Sequence, residues 1–388
     1  MLIDITIKNF RSIKDEVTLS LETGARLTKF KQMNTFPKVG TKIPSLVKSA
    51  FIFGPNANGK TNVLHAFDFL ASLLKTPTDD IDDVLFSDTF GGNDAATSFL
   101  VNFTKDNQLF RYYFEYTENE VVSEYLDVAG KRVLHRERQN FEVIPKTLVP
   151  FVASFRKNQS LLYLAQSYNY DMAQLAFTWL TQDVVFVRNG SNELDVTTLR
   201  RAKDSPSLKE RLLNFMQAAD FGISDFEIVK SEQPKQLEIY FRHQTVEGDI
   251  LLPFRSESEG TKVFVSLALQ LLANSGTGKL LLIDEFERSL HAELAQSLLK
   301  IFNHEQQHNQ FIVTTHSLDL MDEDLRVDQI WFVEKNEFGE SELYNLFDFD
   351  MPSTTRGDYS YKKRYIAGLF GATQIVNQNR LLQNVFEK

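Results

Sequence analysis

The sequence predicts an α/β protein with a parallel core sheet, and three apolar stretches carry this prediction. Residues 49–53 lead into a glycine-rich loop, which is followed by an apolar, helix-compatible run at 63–74. Residues 280–283 are continuously apolar and end in two carboxylates, and residues 311–313 repeat that form before a polar segment. Strands that are apolar on both faces are typical of the buried centre of a parallel sheet.

The composition bounds the class of protein. The chain has 388 residues, of which 43% are hydrophobic, and this is enough for one large domain or two ordinary ones with a full core. The absence of cysteine excludes disulfides and thiolate metal sites. The net charge of −10 argues against a surface that broadly coats nucleic acid, although it is compatible with a local basic patch.

The predicted location is the cytoplasm. Residues 1–8 alternate like a strand and lack the basic and apolar regions of a signal peptide. No apolar stretch reaches about 18 residues, so the sequence predicts no membrane span and no membrane partner.

The remaining elements follow from hydrophobic periodicity. Alternation predicts strands near the N-terminus and in a middle region, where short polar connections imply antiparallel hairpins. Spacings of three and four predict helices between about 147 and 220, and the acidic segment 76–94 is expected to be a solvated loop. The predicted strands are 2–9, 17–22, 98–104, 109–117, 121–128, 223–229 and 236–242, and the predicted helices are 160–167, 171–179 and 195–221.

A phosphate-binding motif follows the first of the three core strands. Residues 54–61 read Gly-Pro-Asn-Ala-Asn-Gly-Lys-Thr and fit G-x-x-x-x-G-K-[ST], with a strand before and a helix after, as this motif needs. The glycines let backbone N–H groups point at phosphate oxygens, and the helix N-terminus favours anions. Lys60 is expected to add a charge at the β- and γ-phosphates, and Thr61 is expected to supply a hydroxyl ligand for Mg²⁺.

Polar residues after the other two core strands are expected to complete this site. Ligands bind beyond the carboxyl ends of parallel strands, so Asp284 is predicted to hold Mg²⁺ beside the loop, directly or through water. Glu285, one residue further, is suited to orient or deprotonate an attacking water. His316, after the third strand, is expected to donate to a γ-phosphate oxygen.

Three further patterns each have an ordinary structural alternative. Ser258 and Gly260 precede an amphipathic helix, which indicates a second anion site, and a simple helix cap is the alternative. His304 and His308 fit H-E-x-x-H, but the segment is polar and no third ligand is evident, so a solvated helix end is expected. The basic residues of the predicted helix 195–221 are expected to form a solvated face rather than a nucleic-acid or partner surface; they are Arg200, Arg201, Lys203, Lys209 and Arg211.

In this order the motifs resemble the ATP-binding-cassette ATPase fold, in its soluble SMC-like and RecF-like branch. Residues 9–12 resemble the N-terminal motif of that branch, 54–61 its Walker A, 258–261 its signature motif, 280–285 its Walker B and 289–291 its D-loop, and His316 resembles its switch histidine. The resemblance implies ATP and Mg²⁺ as cofactors, Thr61 and Asp284 as metal ligands, and Lys60, Glu285 and His316 as catalytic residues. The residues that it implies in contact with ATP are Arg11, Asn56, Ala57, Asn58, Gly59, Lys60, Thr61, Asn62, Ser258, Glu259 and Gly260.

The resemblance also implies an architecture. The expected fold is an ATPase head, in which a parallel core sheet and an antiparallel β subdomain carry an inserted β plus helical region. Residues 1–94 are expected to be the N-terminal lobe with Walker A, and 95–250 the insertion. Residues 251–388 are expected to be the C-terminal lobe, with the signature motif, Walker B, the switch histidine and the tail.

Residues 357–372 resemble the tail of the AAA-type ATP-binding proteins of bacterial abortive infection, the RloA/AbiL-like group. This is a closer resemblance than the one to the wider fold. This resemblance implies a role in anti-phage defence beside a separately encoded nuclease or toxin, such as an RloB-like protein. The sequence departs from the wider family at two points. Glu259 replaces the first glycine of the signature motif, and no glutamine between the acidic loop 76–94 and Leu100 fits the Q-loop, for which Ser87 and Asp88 are the alternatives.

In the fold that the resemblance implies, the signature motif of one subunit completes the site of another. The expected assembly is therefore a head-to-head ATP-sandwich dimer, or a higher oligomer, in which the ATP state sets the geometry of a partner-binding region at 95–250. Three functions remain open. They are a defence ATPase that controls a nuclease or toxin, a RecF- or SMC-like ATPase that repairs or clamps DNA, and a nucleotide-dependent scaffold with little turnover.

Overall fold

The computed structural model of the chain describes residues 1–38, 43–76, 78, 80, 82–187, 194–230, 237–349, 359–373 and 377–386. In chain order the strands within these residues are β1 (Leu2–Lys8), β2 (Val17–Ser20), β3 (Ser49–Phe53), β4 (Thr97–Lys105), β5 (Gln108–Tyr116), β6 (Val121–Val128), β7 (Lys131–Glu137), β8 (Asn140–Val143), β9 (Val184–Val187), β10 (Ile223–Lys230), β11 (Leu237–Thr245), β12 (Gly248–Pro253), β13 (Leu280–Ile283), β14 (Gln310–Thr314), β15 (Ile330–Lys335) and β16 (Ser341–Asn345). The helices are α1 (Lys31–Asn34), α2 (Lys60–Lys75), α3 (Leu161–Ser167), α4 (Asp171–Thr178), α5 (Val196–Asp204), α6 (Pro206–Ala218), α7 (Glu259–Ala273), α8 (Ala292–Phe302), α9 (Tyr361–Ile366) and α10 (Gln378–Phe386).

The core of the fold is a six-stranded sheet with the order β16-β15-β3-β14-β13-β9. All neighbouring strands are parallel except β16, which runs antiparallel to β15. Ile52 of β3 and Leu282 of β13 pack into a hydrophobic cluster on one face, while Phe51 and Ile283 pack into a second cluster on the other. Both faces of the central strands are therefore buried, and the predicted α/β class with a parallel core sheet is confirmed.

A second sheet of seven strands, β2-β1-β4-β5-β6-β7-β8, is antiparallel throughout. Asp106 and Asn107 join β4 to β5 with φ of 49° and 59°, values that suit a two-residue hairpin turn with the natural twist of the strands. The predicted antiparallel hairpins are therefore confirmed, and β7 and β8 extend the sheet beyond them. A third, smaller sheet, β10-β11-β12, leads into α7.

Region 95–250, predicted as an insertion, contributes to all three sheets. β4 pairs with β1, so β4 to β8 continue a sheet that begins at the N-terminus, and β9 pairs with β13 in the core sheet. The helices α3 to α6 and most of the third sheet form the rest of the region. The boundaries at 94/95 and 250/251 stay a prediction, and hydrogen bonds tie the region to both predicted lobes.

The structure differs from the predicted helices at two places. The predicted helix 195–221 is two helices, because the Ser205 side chain accepts the N–H of Leu208 to cap α6, which begins with Pro206. β9 lies in the stretch predicted as helical, since its four apolar residues follow directly on a helical turn at 179–183 and show no alternation.

Parts of three predicted segments lie outside the described residues. These are 77, 79 and 81 of the acidic loop, 236 at the start of the predicted strand found as β11, and 357–358 of the tail. Within the described ranges, no helix combines the length and the apolar character that a bilayer crossing requires.

A buried carboxylate joins the antiparallel sheet to α3. Glu124 of β6 is 1% exposed, and its oxygens accept the backbone N–H groups of Leu161 (2.6 Å) and Leu162 (2.8 Å) at the start of the helix. The hydroxyls of Ser160 (2.8 Å) and Tyr112 (3.0 Å) donate to it as well. A carboxylate at a helix N-terminus is favoured by the helix dipole and by charge-assisted hydrogen bonds, so this contact fixes the helical region on the sheet.

Replacing Glu124 with alanine is expected to lower the free energy of unfolding by about 3–5 kcal/mol, because buried donors lose their acceptor. Urea unfolding followed by circular dichroism measures the change. Glu118→Ala, at an exposed carboxylate in the β5–β6 turn, is the matched control and is expected to stay within about 0.5 kcal/mol of the parent chain. Equal losses in the two variants would contradict the anchoring role.

Candidate functional site

The phosphate loop joins β3 to α2, and three residues with positive φ shape it. The φ angles are 152° at Gly54, 63° at Ala57 and 103° at Gly59. A Cβ on Gly54 would overlap the carbonyl oxygen of Val333, so glycine is required where the loop leaves the sheet against β15. Gly59 is the N-cap of α2, so the first turn of that helix faces the loop, whose tip exposes Asn56 and Ala57.

Two serine hydroxyls support the loop from behind. Ser341 of β16 donates to the carbonyl oxygen of Asn58 at 2.6 Å, and its Oγ lies 2.8 Å from Oγ of Ser12. Asn62, predicted to contact ATP, directs its amide to Ser12 Oγ at 2.6 Å. A Cβ on Gly59 would overlap both hydroxyl oxygens. Sequence reasoning missed this support, because Ser341 lies 329 positions from Ser12 and belongs to no motif.

Lys60 lies inside the loop with its ammonium group held by backbone dipoles. The residue is 5% exposed, and its Nζ donates to the carbonyl oxygens of Gly54 and Pro55, both at 2.9 Å. Burial lowers the pKa of Lys60 to about 8, although nearby carboxylates act in the opposite direction. A phosphate oxygen would offer this ammonium a full negative charge in place of the two carbonyl dipoles.

Thr61 and Asp284 meet at the edge of the core sheet. Thr61 Oγ1 lies 3.0 and 3.1 Å from the two carboxylate oxygens of Asp284, and Thr314 at the end of β14 donates to Asp284 at 2.5 Å. Mg²⁺ is commonly bound by one or two protein oxygens together with phosphates and water, so this hydroxyl and carboxylate fit that ion. No group of three or more histidine or acidic side chains in the described residues could hold a metal by itself.

Glu285 and His316 come together close to Lys60. His316 Nε2 lies 3.4 Å from Glu285 Oε1, and His316 Nδ1 lies 3.5 Å from Lys60 Nζ. Glu285 has a left-handed φ of 46°, and its N–H donates to Thr314 Oγ1 at 2.8 Å. Backbone strain of this kind, held by surrounding contacts, is typical of functional positions.

A cleft of about 240 Å³ opens beside the two acidic residues. It is lined by Asp284, Glu285, Arg288, by His65 and Asp68 of α2, and by Phe186 and Val187 of β9. The rings of His65 and Phe186 stack with their centroids 5.3 Å apart. The cleft leaves room for water next to Glu285, and its β9 wall could not be foreseen because that strand was not predicted.

Arg11, predicted to contact ATP, is paired with Asp88. Its Nε lies 2.7 Å from Asp88 Oδ2, and its backbone N–H donates to the Asp88 carbonyl oxygen at 2.7 Å. Asp88, one alternative for the Q-loop residue, therefore holds Arg11. β9 lies on the side of β13 away from β14, and it ends at Val187 opposite Ile283.

The predicted signature segment packs against the turn that follows Asp284. Ser258 is the N-cap of α7, and its Oγ accepts the N–H of Thr261 at 3.1 Å. A Cβ on Gly260 would lie 2.6 Å from the carbonyl oxygen of Ser289, and Glu259 Oε1 lies 4.0 Å from Arg288 Nη2. These contacts attach residues 258–260 to the turn 285–291 of their own chain.

The H-E-x-x-H segment follows α8 as a turn. The helix ends at Phe302, and His304 Nδ1 accepts the N–H of Gln306 at 3.2 Å. His304 and His308 therefore do not occupy successive turns of one helix, which is the geometry that the zinc-protease motif needs.

Comparison with known proteins assigns the chain to a family. A family model described as "AAA domain, putative AbiEii toxin, Type IV TA system" matches residues 49–149 and 153–322, which is more than half of the chain. The chain belongs to this family. The matched residues include the phosphate loop, the segment 258–260, Asp284, Glu285 and His316, and the predicted AAA-type ATP-binding class is confirmed.

Solved structures with a similar chain path include SMC heads. The "SmcHead bound to the C-winged helix domain of ScpA" has a TM-score of 0.47 and 13% identity, over 89% of this chain and 97% of that chain. The "SMC head domain from Thermotoga maritima" has a TM-score of 0.43 and 14% identity, over 89% of this chain and 98% of that chain. An SMC head from Pyrococcus furiosus has a TM-score of 0.45 and 11% identity, over 89% of this chain and 96% of that chain. No curated protein matches the sequence.

ATP binding is expected to take up a proton at a pH of about 9. Burial lowers the pKa of Lys60 to about 8, so in the free protein most Lys60 side chains are neutral at a pH of about 9. Bound phosphates favour the charged form of Lys60, so ATP binding raises its pKa. The affinity for ATP is therefore expected to fall as the pH rises through about 8.

Calorimetry in two buffers of different ionisation enthalpy measures this uptake. At a pH of about 6.5 Lys60 is already charged in the free protein, so no proton uptake by this group is expected on ATP binding. Lys60→Arg, which stays charged at both values, is the matched variant. Equal uptake by the lysine and arginine forms would contradict the assignment to Lys60.

Proposed function

We propose that this protein binds ATP and Mg²⁺ between two copies of the chain and hydrolyses the ATP to ADP and phosphate. The observation that carries the proposal is a convergence at the carboxyl ends of β3, β14 and β13, which are adjacent and parallel. The side chains that meet there are Lys60, Thr61, Asp284, Glu285 and His316. A lysine, a hydroxyl–carboxylate pair and a second carboxylate are the groups that phosphoryl transfer from ATP to water needs.

Each residue has a separate role in this mechanism. The loop backbone and Lys60 bind the phosphates, while Thr61 and Asp284 would hold the Mg²⁺. When bound, that ion neutralises charge on the phosphates. Glu285 orients a water and takes its proton as the water oxygen bonds to the γ-phosphorus and the bond to the bridging oxygen breaks. His316, 3.4 Å from Glu285, donates to a γ-phosphate oxygen.

The proposed partner in the site is a second copy of the chain. Ser258 and the N-terminus of α7 form a group suited to an anion, yet in their own chain they are attached to the turn 285–291. We infer that Ser258, Glu259 and Gly260 meet the γ-phosphate of ATP held by the other copy. Such a head-to-head arrangement is symmetric and closed, and it forms two equal sites; a higher oligomer would be built from such pairs.

The proposed role is ATP-dependent control of a toxic partner in anti-phage defence within the cytoplasm. The description of the family names a toxin and a toxin–antitoxin system, which supports this role. The tail that resembles the RloA/AbiL-like group packs on the core sheet, with the Phe370 ring 5.8 Å from that of Phe332. The partner would be a nuclease or toxin, such as an RloB-like protein, bound by region 95–250.

A RecF- or SMC-like role on DNA is the second candidate, and the basic residues of α5 and α6 bear on it. Arg201 donates to the carbonyl oxygen of Ala273, and Lys209 lies 3.8 Å from Asp225. Two of the five basic residues therefore already have partners within the chain. The role on DNA has less support than the role in defence for this reason. Stimulation of the ATPase by DNA would favour it, and ATP binding without turnover would favour the nucleotide-dependent scaffold.

Glu285→Gln is expected to lower the rate of ATP hydrolysis by about 10²- to 10⁴-fold, because the amide cannot accept the proton of the attacking water. Nucleotide binding is expected to persist, so the ATP-bound dimer accumulates. Phosphate release and sedimentation with ATP and Mg²⁺ measure the two effects. Lys60→Ala is the comparison variant, and it is expected to lose ATP binding and therefore the ATP-bound dimer. Hydrolysis at the native rate by the glutamine variant would show that another group is the base.

Mixing two inactive variants tests whether the site is shared. Lys60→Ala and Ser258→Arg are each expected to form only dead sites, whereas a mixed pair contains one site with both residues intact. An equal mixture is expected to recover a measurable part of the parent activity after subunit exchange, since each mixed pair has one working site. A mixture that stays inactive after exchange, shown by differently tagged copies, would place Ser258 outside the partner's site.

A further inference from the structure

Glu287 joins the turn that carries Glu285 to the segment that carries His316. Its Oε1 accepts the backbone N–H groups of His316 at 2.5 Å and of Ser317 at 3.1 Å. Its other carboxylate oxygen is buried and has no hydrogen-bond partner among the described residues. Glu287 as a whole is half-buried, and its carboxylate makes charge-assisted hydrogen bonds to two successive backbone N–H groups, so this contact joins the two segments.

The same turn contacts the signature segment. Within it, Arg288 N–H donates to the Glu285 carbonyl oxygen at 2.9 Å. Glu285 and Ser289 have left-handed φ of 46° and 59°, and Ser289 presents its carbonyl oxygen where a Cβ on Gly260 would lie 2.6 Å away. Left-handed residues at both ends leave the turn few alternative conformations. These contacts form a continuous path from Gly260 through the turn to Glu285 and, through the Glu287 carboxylate, to His316.

We propose that Glu287 is a positioning residue that couples engagement of the segment 258–260 to the placement of His316 against Glu285. The proposal rests on the proposed ATP hydrolysis. Glu287 acts through the backbone N–H groups of His316 and Ser317 and does not contact ATP. Its loss therefore affects turnover rather than nucleotide affinity.

A double-mutant cycle with His316 separates coupling from a contribution to folding. Glu287→Ala is expected to lower kcat by about 10- to 100-fold while the Kd for ATP changes by less than about twofold. In the His316→Ala background the same change is expected to have no further effect on kcat, because the imidazole that Glu287 positions is absent. Glu293→Ala, at an exposed carboxylate in the first turn of α8, is the matched control with unchanged kcat. Equal losses of kcat in the two backgrounds would overturn the coupling.

Hydrogen exchange tests the contact without relying on activity. In Glu287→Ala, peptides that contain His316 and Ser317 are expected to exchange faster than in the parent chain, while peptides from α8 are unchanged. Unchanged exchange at these amides would overturn the proposal even if turnover falls. A parent chain that binds ATP and does not hydrolyse it would instead reject the proposed ATPase, and the coupling with it. Faster exchange with equal kcat losses in both backgrounds would reject the coupling alone.

Discussion

The contact between Thr61 and Asp284 is the one on which the rest of the site depends. It spans 3.0 Å and joins residues 223 positions apart in the sequence. It forms because β3 and β13 are parallel strands of one sheet with β14 between them, so that all three carboxyl ends meet at one edge. The register of these strands also sets Thr314 beside Asp284 and Glu285, and His316 beside Lys60. One topological constraint therefore assembles the lysine, the hydroxyl, the carboxylates and the imidazole.

Region 95–250, predicted as an insertion, is hydrogen-bonded both to the N-terminal sheet and to the core sheet. Its first strand, β4, extends the N-terminal sheet, and β9 lies directly beside the strand that ends at Asp284. Phe186 of β9 lines the cleft next to Glu285. Through β9, one part of this region therefore lies one strand away from the carboxylates of the candidate site.

Much of the site could be predicted from the sequence because it depends on local patterns. The phosphate loop is a contiguous motif, and Asp284, Glu285 and His316 each follow an apolar strand, so general rules for parallel sheets place them together. Ser341 and Glu287 could not be predicted, because their roles are backbone contacts between distant segments and carry no spacing pattern. β9 escaped prediction because four apolar residues after a helical turn do not reveal their period.

The left-handed conformation of Glu285 has a consequence for the evolution of such proteins. A residue other than glycine in this region costs about 1–2 kcal/mol, and asparagine or glycine would adopt it more easily. On stability alone, glycine or asparagine would therefore suit this position better than glutamate. The proposed role of Glu285 as the base of ATP hydrolysis would account for a residue that carries this cost in stability.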